Sequence, residues 1–329
     1  MKKPKLLLSN SLGQLWHGDV LKCYDQWPSP VAIISDGPYG IDGYRGDTKT
    51  PSSLAEIYEP HIKKWSEKAT PETTLWFWNT EVGWASVHPV LERHGWIYRG
   101  LNIWDKGIDH IAGNCNGKTM RKFPTVTEVC AHYVRKEIFK LASGQETSIQ
   151  NWLISEWKRT GLTLAKANEA CGVKNAASRK YLTKDHLWYF PPADVFKKLV
   201  DYANTHGDIA HKPYFTIDGK TTLSSNQWER MRSKFNFEYG ATNVWTTPAL
   251  RSKERLKDGT LVSHPNQKPL VLMNRIINAS TDTGDLIWEP FGGTASASVA
   301  AEKTGRLYRT CEIDKDYLKS TIARLKESE

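Results

Sequence analysis

The chain has 329 residues, five cysteines and a formal net charge of +9. This length allows one large α/β domain and a second, smaller module. No apolar run reaches the roughly 18 residues that a membrane-spanning helix needs. The N-terminal segment MKKPKLLL also lacks the features of a cleaved signal. We therefore expect a cytoplasmic protein without a membrane partner.

The cysteines and the charge balance narrow the class of protein further. The cysteines are scattered without a CxxC pair, which argues against a zinc knuckle and against a disulfide framework, so no metal site is expected. A basic balance favours a polyanionic partner such as nucleic acid. The fourteen tryptophans could stack on exposed bases, but core packing is the expected role of any one of them.

Short apolar runs alternate with amphipathic stretches in residues 1–135 and again in residues 244–329. This alternation predicts βα units around a largely parallel, doubly wound α/β sheet. Residues 136–243 are more polar and basic, and they predict an inserted, mainly helical module. The predicted strands are 31–35, 73–78, 97–104, 126–134, 285–289 and 307–312, and the predicted helices of the flanks are 54–68, 82–93, 269–279, 295–303 and a terminal helix.

The segment SDGPYG, residues 35–40, directly follows the apolar strand candidate VAIIS. Ligands of open parallel sheets bind beyond the carboxyl ends of the strands, so this loop is a candidate reaction site. Considered by itself, the segment is explained equally well as a plain turn.

Three further segments carry chemistry. EPFGGTAS, residues 289–296, follows the strand candidate DLIW and opens a helix, and its small residues allow a ligand to approach the backbone. Glu312 ends the strand LYRTC, where nucleotide-binding α/β folds place an acid for ribose hydroxyls. HPNQKP, residues 264–269, precedes the glycine loop, and WHGDV, residues 16–20, precedes the SDGPYG loop.

Together these segments resemble the motifs of the β-class amino-DNA methyltransferases, which methylate adenine N6 or cytosine N4. In that family the catalytic loop reads Asp/Ser-Pro-Pro-Tyr/Phe, the cofactor loop reads Asp-Pro-Phe-x-Gly-x-Gly, and His-Pro-x-Gln-Lys-Pro precedes the cofactor loop. The order found here, with the catalytic loop first and the cofactor motifs last, is the circular arrangement that defines the β class. Gly37 departs from the family's first proline, and Ala295 departs from its last glycine.

The resemblance implies a Rossmann-like sheet and S-adenosylmethionine as the cofactor. It places Asp36, Pro38 and Tyr39 at the reaction centre, where carboxylate and carbonyl acceptors polarise the target amine and the aromatic ring stacks on a flipped base. The implied cofactor residues are Asp19, Asp36, His264, Asn266, Gln267, Lys268, Glu289, Phe291, Gly292, Gly293, Thr294 and Glu312. Glu128 is ranked only as a residue at the edge of the site.

The insert carries a candidate DNA-reading element at about residues 163–182. Residues 163–173 predict a helix closed by a glycine turn, and residues 175–182 predict a second helix, which is helix-turn-helix spacing. An ordinary helical hairpin with a solvated basic face is the alternative. The candidate DNA contacts are Asn175, Ser178, Arg179 and Lys180 in the insert, Lys118, Arg121 and Lys122 in the loop 107–123, and Arg45. For Arg45 and for the residues of the loop 107–123, a side chain that simply faces solvent is the equal alternative.

These motifs predict a site-specific methyltransferase of double-stranded DNA, with a catalytic half at 1–135, a target-recognition insert and a cofactor half at 244–329. Adenine N6 is favoured over cytosine N4 because Asp36 stands where cytosine enzymes more often have serine, although Ser35 is its neighbour. Two other functions are less well supported. RNA and protein-glutamine methyltransferases usually place the cofactor loop before the catalytic loop, which is the opposite of the order found here. A non-catalytic DNA-binding protein would not need the intact catalytic and cofactor motifs. A cognate restriction endonuclease and a homodimer are further partners that the sequence leaves open.

Overall fold

A computed structural model describes residues 3–41, 50–111, 118–250, 255–258, 261–262 and 266–328. Two of the predicted site residues, Arg45 and His264, lie outside the described residues. The chain divides into two compact units, one of residues 1–135 with 233–329 and one of residues 136–232. In the described part of the chain no helix has both the length and the apolar character needed to cross a membrane.

In chain order the described strands are β1 (Lys5–Ser9), β2 (Gly13–His17), β3 (Ala32–Ser35), β4 (Thr74–Asn79), β5 (Trp96–Asp105), β6 (Thr127–Arg135), β7 (Ile138–Lys140), β8 (Glu146–Ser148), β9 (Val244–Thr246), β10 (Lys257–Asp258), β11 (Leu261–Val262), β12 (Leu286–Glu289) and β13 (Leu307–Glu312). The described α-helices are α1 (Leu54–Lys68), α2 (Glu81–Arg93), α3 (Ile149–Arg159), α4 (Leu164–Cys171), α5 (Ala193–His206), α6 (Ser225–Glu229), α7 (Leu270–Ser280), α8 (Ser296–Lys303) and α9 (Lys315–Ser328). The predicted strands and helices of both flanks are present.

The first unit is built on a nine-stranded sheet in the order β1-β2-β13-β12-β3-β4-β6-β5-β9. Its centre, from β2 to β4, is parallel, whereas β6 runs antiparallel to both β4 and β5. Successive residues of a strand face opposite sides of the sheet, so Ile33 packs in the core that contains α1 and α2, and Ile34 packs in the core that contains α7, α8 and α9. The predicted doubly wound α/β fold is therefore confirmed.

The arrangement of β3 and β12 creates a crevice at one edge of this sheet. The two strands pair in parallel through Ile287 with Ala32 and Trp288 with Ile33. From β3 the chain continues to β4 on one side, and from β12 it continues to β13 on the other. Crossovers that diverge in this way leave space beyond the carboxyl ends of the two strands, and the segments 36–40 and 290–295 begin there.

The second unit ends at Arg232, before the predicted boundary at residue 243. Residues 233–243 belong to the first unit because they lie along its elements. The Asn236 amide donates to the Ala279 carbonyl at 2.7 Å, and β9, which begins at Val244, pairs with β5.

An aromatic core holds the second unit together. Trp152, Trp157, Phe196, Phe215 and Trp228 are almost fully buried in it. Phe196 and Trp228 stack with their ring centroids 4.2 Å apart, and the Trp228 indole donates to the Pro191 carbonyl at 2.7 Å. Across both units eleven of the fourteen tryptophans are buried, so core packing explains most of them.

The predicted helix-turn-helix is only half regular. Helix α4 ends at Gly172, whose φ of 67° closes it in the left-handed region, as predicted. The second predicted helix is instead a single π-helical turn over Ala177–Tyr181. The Asn168 side chain accepts from the Ser178 amide at 3.1 Å. This contact replaces the bond to a carbonyl one turn earlier that a regular helix from residue 175 would need.

Trp228→Ala is expected to lower the free energy of unfolding of the second unit by about 3–5 kcal/mol, because it removes a buried ring and leaves a cavity. Urea denaturation of the full chain, followed by circular dichroism, measures this loss. The matched control is Ile209→Ala, since Ile209 is fully exposed in the same unit, and it should change stability by less than about 0.5 kcal/mol. Equal losses in the two variants would contradict the assignment of Trp228 to the core.

Candidate active site

A cavity of about 990 Å³ lies in the first unit, beyond the carboxyl ends of β2, β3, β12 and β13. Every predicted catalytic and cofactor residue in the described part of the chain lines it. The shared lining residues are Asp19, Asp36, Pro38, Tyr39, Asn266, Gln267, Lys268, Glu289, Phe291, Gly292, Gly293, Thr294 and Glu312. The two loops that are distant in sequence thus face one space.

Tyr39 holds the carboxylate of the first loop in place. It is 4% exposed, and its hydroxyl lies 2.8 Å from Asp36 Oδ1 and 3.1 Å from Glu128 Oε2. Burial, with the nearby carboxylates of Asp36 and Glu128, raises the pKa of Tyr39 well above its usual value. The side chain therefore remains a neutral phenol that donates its proton to one of the two carboxylates.

Pro38 anchors the loop through its carbonyl. This oxygen accepts from the Tyr58 hydroxyl at 3.1 Å and from the Asn79 amide at 3.0 Å. Since a carbonyl has two lone pairs, both are engaged. The structure thus assigns Pro38 to fixing the loop on α1 and β4, and its carbonyl is not available to a reacting amine.

The space around Gly37 explains its departure from the family pattern. A Cβ at this position would lie 2.6 Å from Phe291 Cδ2 and 2.6 Å from the Tyr58 hydroxyl. Atoms at that distance overlap, so a proline here would displace the Phe291 ring, which itself lines the cavity. Gly37 is therefore required by the close approach of the second loop.

The Lys268 ammonium contacts the first loop and does not extend into the open cavity. Its side chain is fully buried, and its ammonium lies 2.8 Å and 3.0 Å from the two Asp36 oxygens. Gln267 is also turned away from the space, because its side-chain oxygen accepts from the Leu256 amide at 3.0 Å. The sequence predicted that both residues contact the cofactor. Both residues line the cavity, but the Lys268 ammonium and the Gln267 side-chain oxygen are bonded to protein groups.

Glu289 shapes the second loop by capping α8. Its two carboxylate oxygens accept from the Ala297 amide at 2.9 Å and the Ser298 amide at 2.8 Å, and from the Ser298 hydroxyl. Burial raises the pKa of Glu289 to about 7 in spite of these bonds. Ala295, in the position of the family's last glycine, has a φ of 56°. A residue with a Cβ in this left-handed region carries strain, which is typical of functional loops.

Glu312 joins the glycine loop to the end of β13. Its carboxylate accepts from the Gly293 amide at 2.6 Å and from the Asp314 amide, and burial raises its pKa. A carboxylate can accept about four hydrogen bonds, so acceptor capacity remains for vicinal hydroxyls. Asp19 lines the same cavity, and its side chain also accepts from the Leu21 amide at 3.1 Å.

Two residues of the site were not predicted in these roles. His61 lines the cavity with its ring centroid 5.0 Å from that of Phe291, and burial lowers its pKa to about 4. It lies on the buried face of α1, where the sequence pattern indicates only core. Glu128 is 5% exposed and contacts Tyr39 and Lys268, which is deeper than the edge position predicted for it.

The predicted DNA contacts are mostly exposed. Lys118, Arg121 and Lys122 are exposed in the connection between β5 and β6, which begins and ends at the pair Asp105–Thr127. In the second unit the exposed candidates are Asn175, Arg179 and Lys180. Ser178 is half-buried, and its hydroxyl bonds to the Asn175 carbonyl and the Asn168 amide, so its contacts stabilise the turn.

Among the described residues no group of three His, Cys, Asp or Glu side chains could hold a metal ion. Among the charged groups that line the cavity, Asp36 is paired with Lys268, and Glu289 and Glu312 accept from backbone amides. The site can therefore accept hydrogen bonds from a polar ligand at Asp36, Asp19 and Glu312, and it offers an apolar wall at Phe291 and His61.

Comparison with known proteins agrees with this site. The chain is 36% identical over 91 residues to "DNA adenine methyltransferase YhdJ" of Escherichia coli, covering 28% of this chain and 30% of that protein. It is 38% identical over 125 residues to "Type II methyltransferase M2.DpnII" of Streptococcus pneumoniae, covering 34% and 44%. The chain thus spans less than half the length of these curated relatives.

The fold matches over a longer range. The solved structure of the "M1.HpyAVI-SAM complex" superposes with a TM-score of 0.53 at 15% identity, covering 95% of this chain and 99% of that one. A family model described as DNA methylase, for N6 and N4 methyltransferases, matches residues 31–324. Because this match covers both loops and most of the chain, the chain belongs to the DNA methylase family of N6 and N4 methyltransferases.

Proposed function

We propose that the chain transfers a methyl group from S-adenosylmethionine to the exocyclic amino nitrogen of a flipped base in duplex DNA, with adenine N6 as the favoured target. One observation carries the proposal. Asp36 and Glu312 line the same cavity at the junction of β3 and β12. Asp36 is suited to bind a target amine, and Glu312 is suited to bind ribose hydroxyls. The adenine-specific relative supports the choice of base.

The cavity has the size and the acceptor groups that S-adenosylmethionine requires. Glu312 would accept from the ribose hydroxyls, Asp19 from the adenine amine, and the backbone of Gly292 and Gly293 would border the methionine portion. The cofactor supplies a methyl group made electrophilic by its sulfonium. His61 is neutral and Lys268 is paired with carboxylates, so neither repels that positive charge.

The target amine is a poor nucleophile because its lone pair is delocalised into the base. Asp36 would accept one N–H bond, and the carbonyl of Gly37 would accept the other, since the Pro38 carbonyl is already doubly engaged. These fixed acceptors raise electron density on nitrogen and stabilise the positive charge that develops there. They also hold the nitrogen in one orientation for direct attack on the methyl carbon, whose bond to the sulfonium would break and leave a neutral thioether. The nitrogen would give up one proton along its hydrogen bond to Asp36.

The proposal predicts N6-methyladenine as the product. Duplex DNA of varied sequence, incubated with tritiated cofactor and digested to nucleosides, should carry label in N6-methyladenine. Label in N4-methylcytosine would establish the alternative base. Label in neither nucleoside would contradict the proposed activity.

Asp36→Asn should lower the rate of transfer by roughly 10²–10³-fold, the range typical for loss of one transition-state hydrogen-bond partner. Cofactor affinity should change by less than about threefold, or about 0.7 kcal/mol, because Asp36 acts on the amine. Single-turnover transfer and calorimetric cofactor titration measure the two effects. Asp25→Asn, an exposed carboxylate in the same unit, is the control and should match wild type. A parallel loss of cofactor affinity in Asp36→Asn would overturn its role.

The second unit is proposed as the target-recognition module, with Asn175, Arg179 and Lys180 as its DNA contacts. All three side chains are exposed, Arg179 and Lys180 on the short turn 177–181 and Asn175 just before it, which supports this role. The type II relative suggests, in addition, a cognate restriction endonuclease as a partner.

Arg179→Ala should weaken binding to duplex DNA by about 1–3 kcal/mol if Arg179 contacts a base, or lower the salt dependence by about one charge if it contacts a phosphate. Cofactor affinity should not change. The control is Lys220→Ala, an exposed lysine elsewhere in the same unit. Fluorescence anisotropy with labelled duplexes at several salt concentrations distinguishes a base contact from a phosphate contact. Equal DNA affinity in Arg179→Ala and wild type would show that Arg179 does not contact DNA.

A further inference from the structure

Four charged side chains form a buried cluster beneath the catalytic loop. Lys268 lies between Asp36, at 2.8 Å and 3.0 Å, and Glu128, at 3.2 Å. Lys106 binds the other oxygen of Glu128 at 2.5 Å. The exposed fractions of the side chains are 0% for Lys268, 7% for Glu128, 11% for Lys106 and 20% for Asp36. We call this cluster the charge clamp.

The clamp is electrically balanced, with two carboxylates and two ammonium groups. An unpaired charge at this depth would cost several kcal/mol in lost hydration, so each member depends on the others. Burial would lower the pKa of Lys268, yet Asp36 and Glu128 hold it above its usual value. Burial would likewise raise the pKa of Glu128, yet Lys268 and Lys106 hold it below its usual value. All these directions favour the charged forms.

Aromatic rings fix the position of the Lys268 ammonium. It lies 5.1 Å from the centroid of Tyr39, 5.4 Å from that of Trp78 and 6.0 Å from that of Trp104. These distances permit cation–π attraction. Its N–H groups face the Asp36 carboxylate, Glu128 and, at 3.4 Å, the carbonyl of Asn266. The ammonium therefore has a single well-defined place.

The contacts of the clamp determine how many acceptor positions of the Asp36 carboxylate remain for a substrate. When the Tyr39 hydroxyl donates to Asp36, the nearer of its two carboxylate neighbours, its bond and the bond from Lys268 occupy the two lone pairs of Oδ1. Oδ2 is approached by Lys268, and in the described part of the chain no second donor to it is recorded. One acceptor position is thus left, on Oδ2, for one N–H of an amine.

We propose that Lys268, Glu128 and Lys106 are positioning residues for methyl transfer, which hold Asp36 as a fixed carboxylate with one acceptor position open to the target amine. This inference rests on the proposed function, and it assigns Lys268 to the amine side of the reaction rather than to cofactor binding. Glu128 acts on Asp36 only through Lys268 and Tyr39, and Lys106 acts only through Glu128. Their loss frees the ammonium to move and leaves a net charge beneath the loop.

The test is a double-mutant cycle with Lys106→Met, Glu128→Gln and the double variant, all in the full chain. Each single change leaves one uncompensated charge in the clamp, and we expect kcat to fall about 10- to 100-fold. The double variant restores electrical neutrality. Its loss should therefore be smaller than the product of the two single losses, by about 2- to 100-fold.

Cofactor binding separates a positioning role from general damage. The Kd for S-adenosylmethionine, measured by calorimetry, should stay near the wild-type value in all three variants while kcat falls. Glu128→Asp, which keeps the charge but shortens the side chain, provides an intermediate kcat if Glu128→Gln does not fold. The control cycle is Lys64→Met with Asp25→Asn, an exposed ion pair in the same unit with 2.9 Å between its atoms, where full kcat and no coupling are expected.

Several outcomes overturn the clamp while leaving the proposed function intact. They are wild-type kcat in both single variants, a loss of cofactor affinity as large as the loss of kcat, or a double variant whose loss equals the product of the single losses. If wild-type protein transfers no methyl group to DNA in the same assay, the proposed function fails, and the clamp fails with it.

Discussion

The parallel pairing of β12 with β3 is the constraint on which the site depends. Residues 32–33 and 287–288 lie at opposite ends of the chain, and their hydrogen bonding sets the catalytic loop beside the glycine loop. The contact is tight enough that Phe291 occupies the space where a side chain at position 37 would lie. Any change that moves one strand relative to the other therefore changes the catalytic loop and the cofactor cavity together.

The cavity must also accommodate positive charge on the cofactor and on the reacting nitrogen. A sulfonium cofactor and a nitrogen that becomes positive during transfer both need negative or neutral surroundings, yet Lys268 places an ammonium in the wall. The structure resolves this conflict by pairing the ammonium with two carboxylates and burying it among aromatic rings. The charge of the ammonium beside Asp36 is thus balanced by carboxylates. On the apolar side of the cavity His61 is neutral because burial lowers its pKa, so it adds no positive charge there.

The second unit follows a different physical plan. Its helices pack around stacked aromatic rings, and two of its basic residues, Arg179 and Lys180, lie on an exposed, irregular turn. A π-helical turn that bonds to Asn168 carries Arg179 and Lys180 in place of a second regular helix.

The sequence by itself determined most elements of the flanks, although not β1, β2 and β9, and it identified the two loops that line the cavity. These signals are local, since apolar periodicity and strand-to-loop junctions are set by neighbours in the chain. The connection of Lys268 to Asp36, the saturation of the Pro38 carbonyl and the depth of Glu128 were decided only by tertiary structure. Each depends on atoms brought together from distant segments, and no spacing along the chain reports which lone pair a distant donor will occupy.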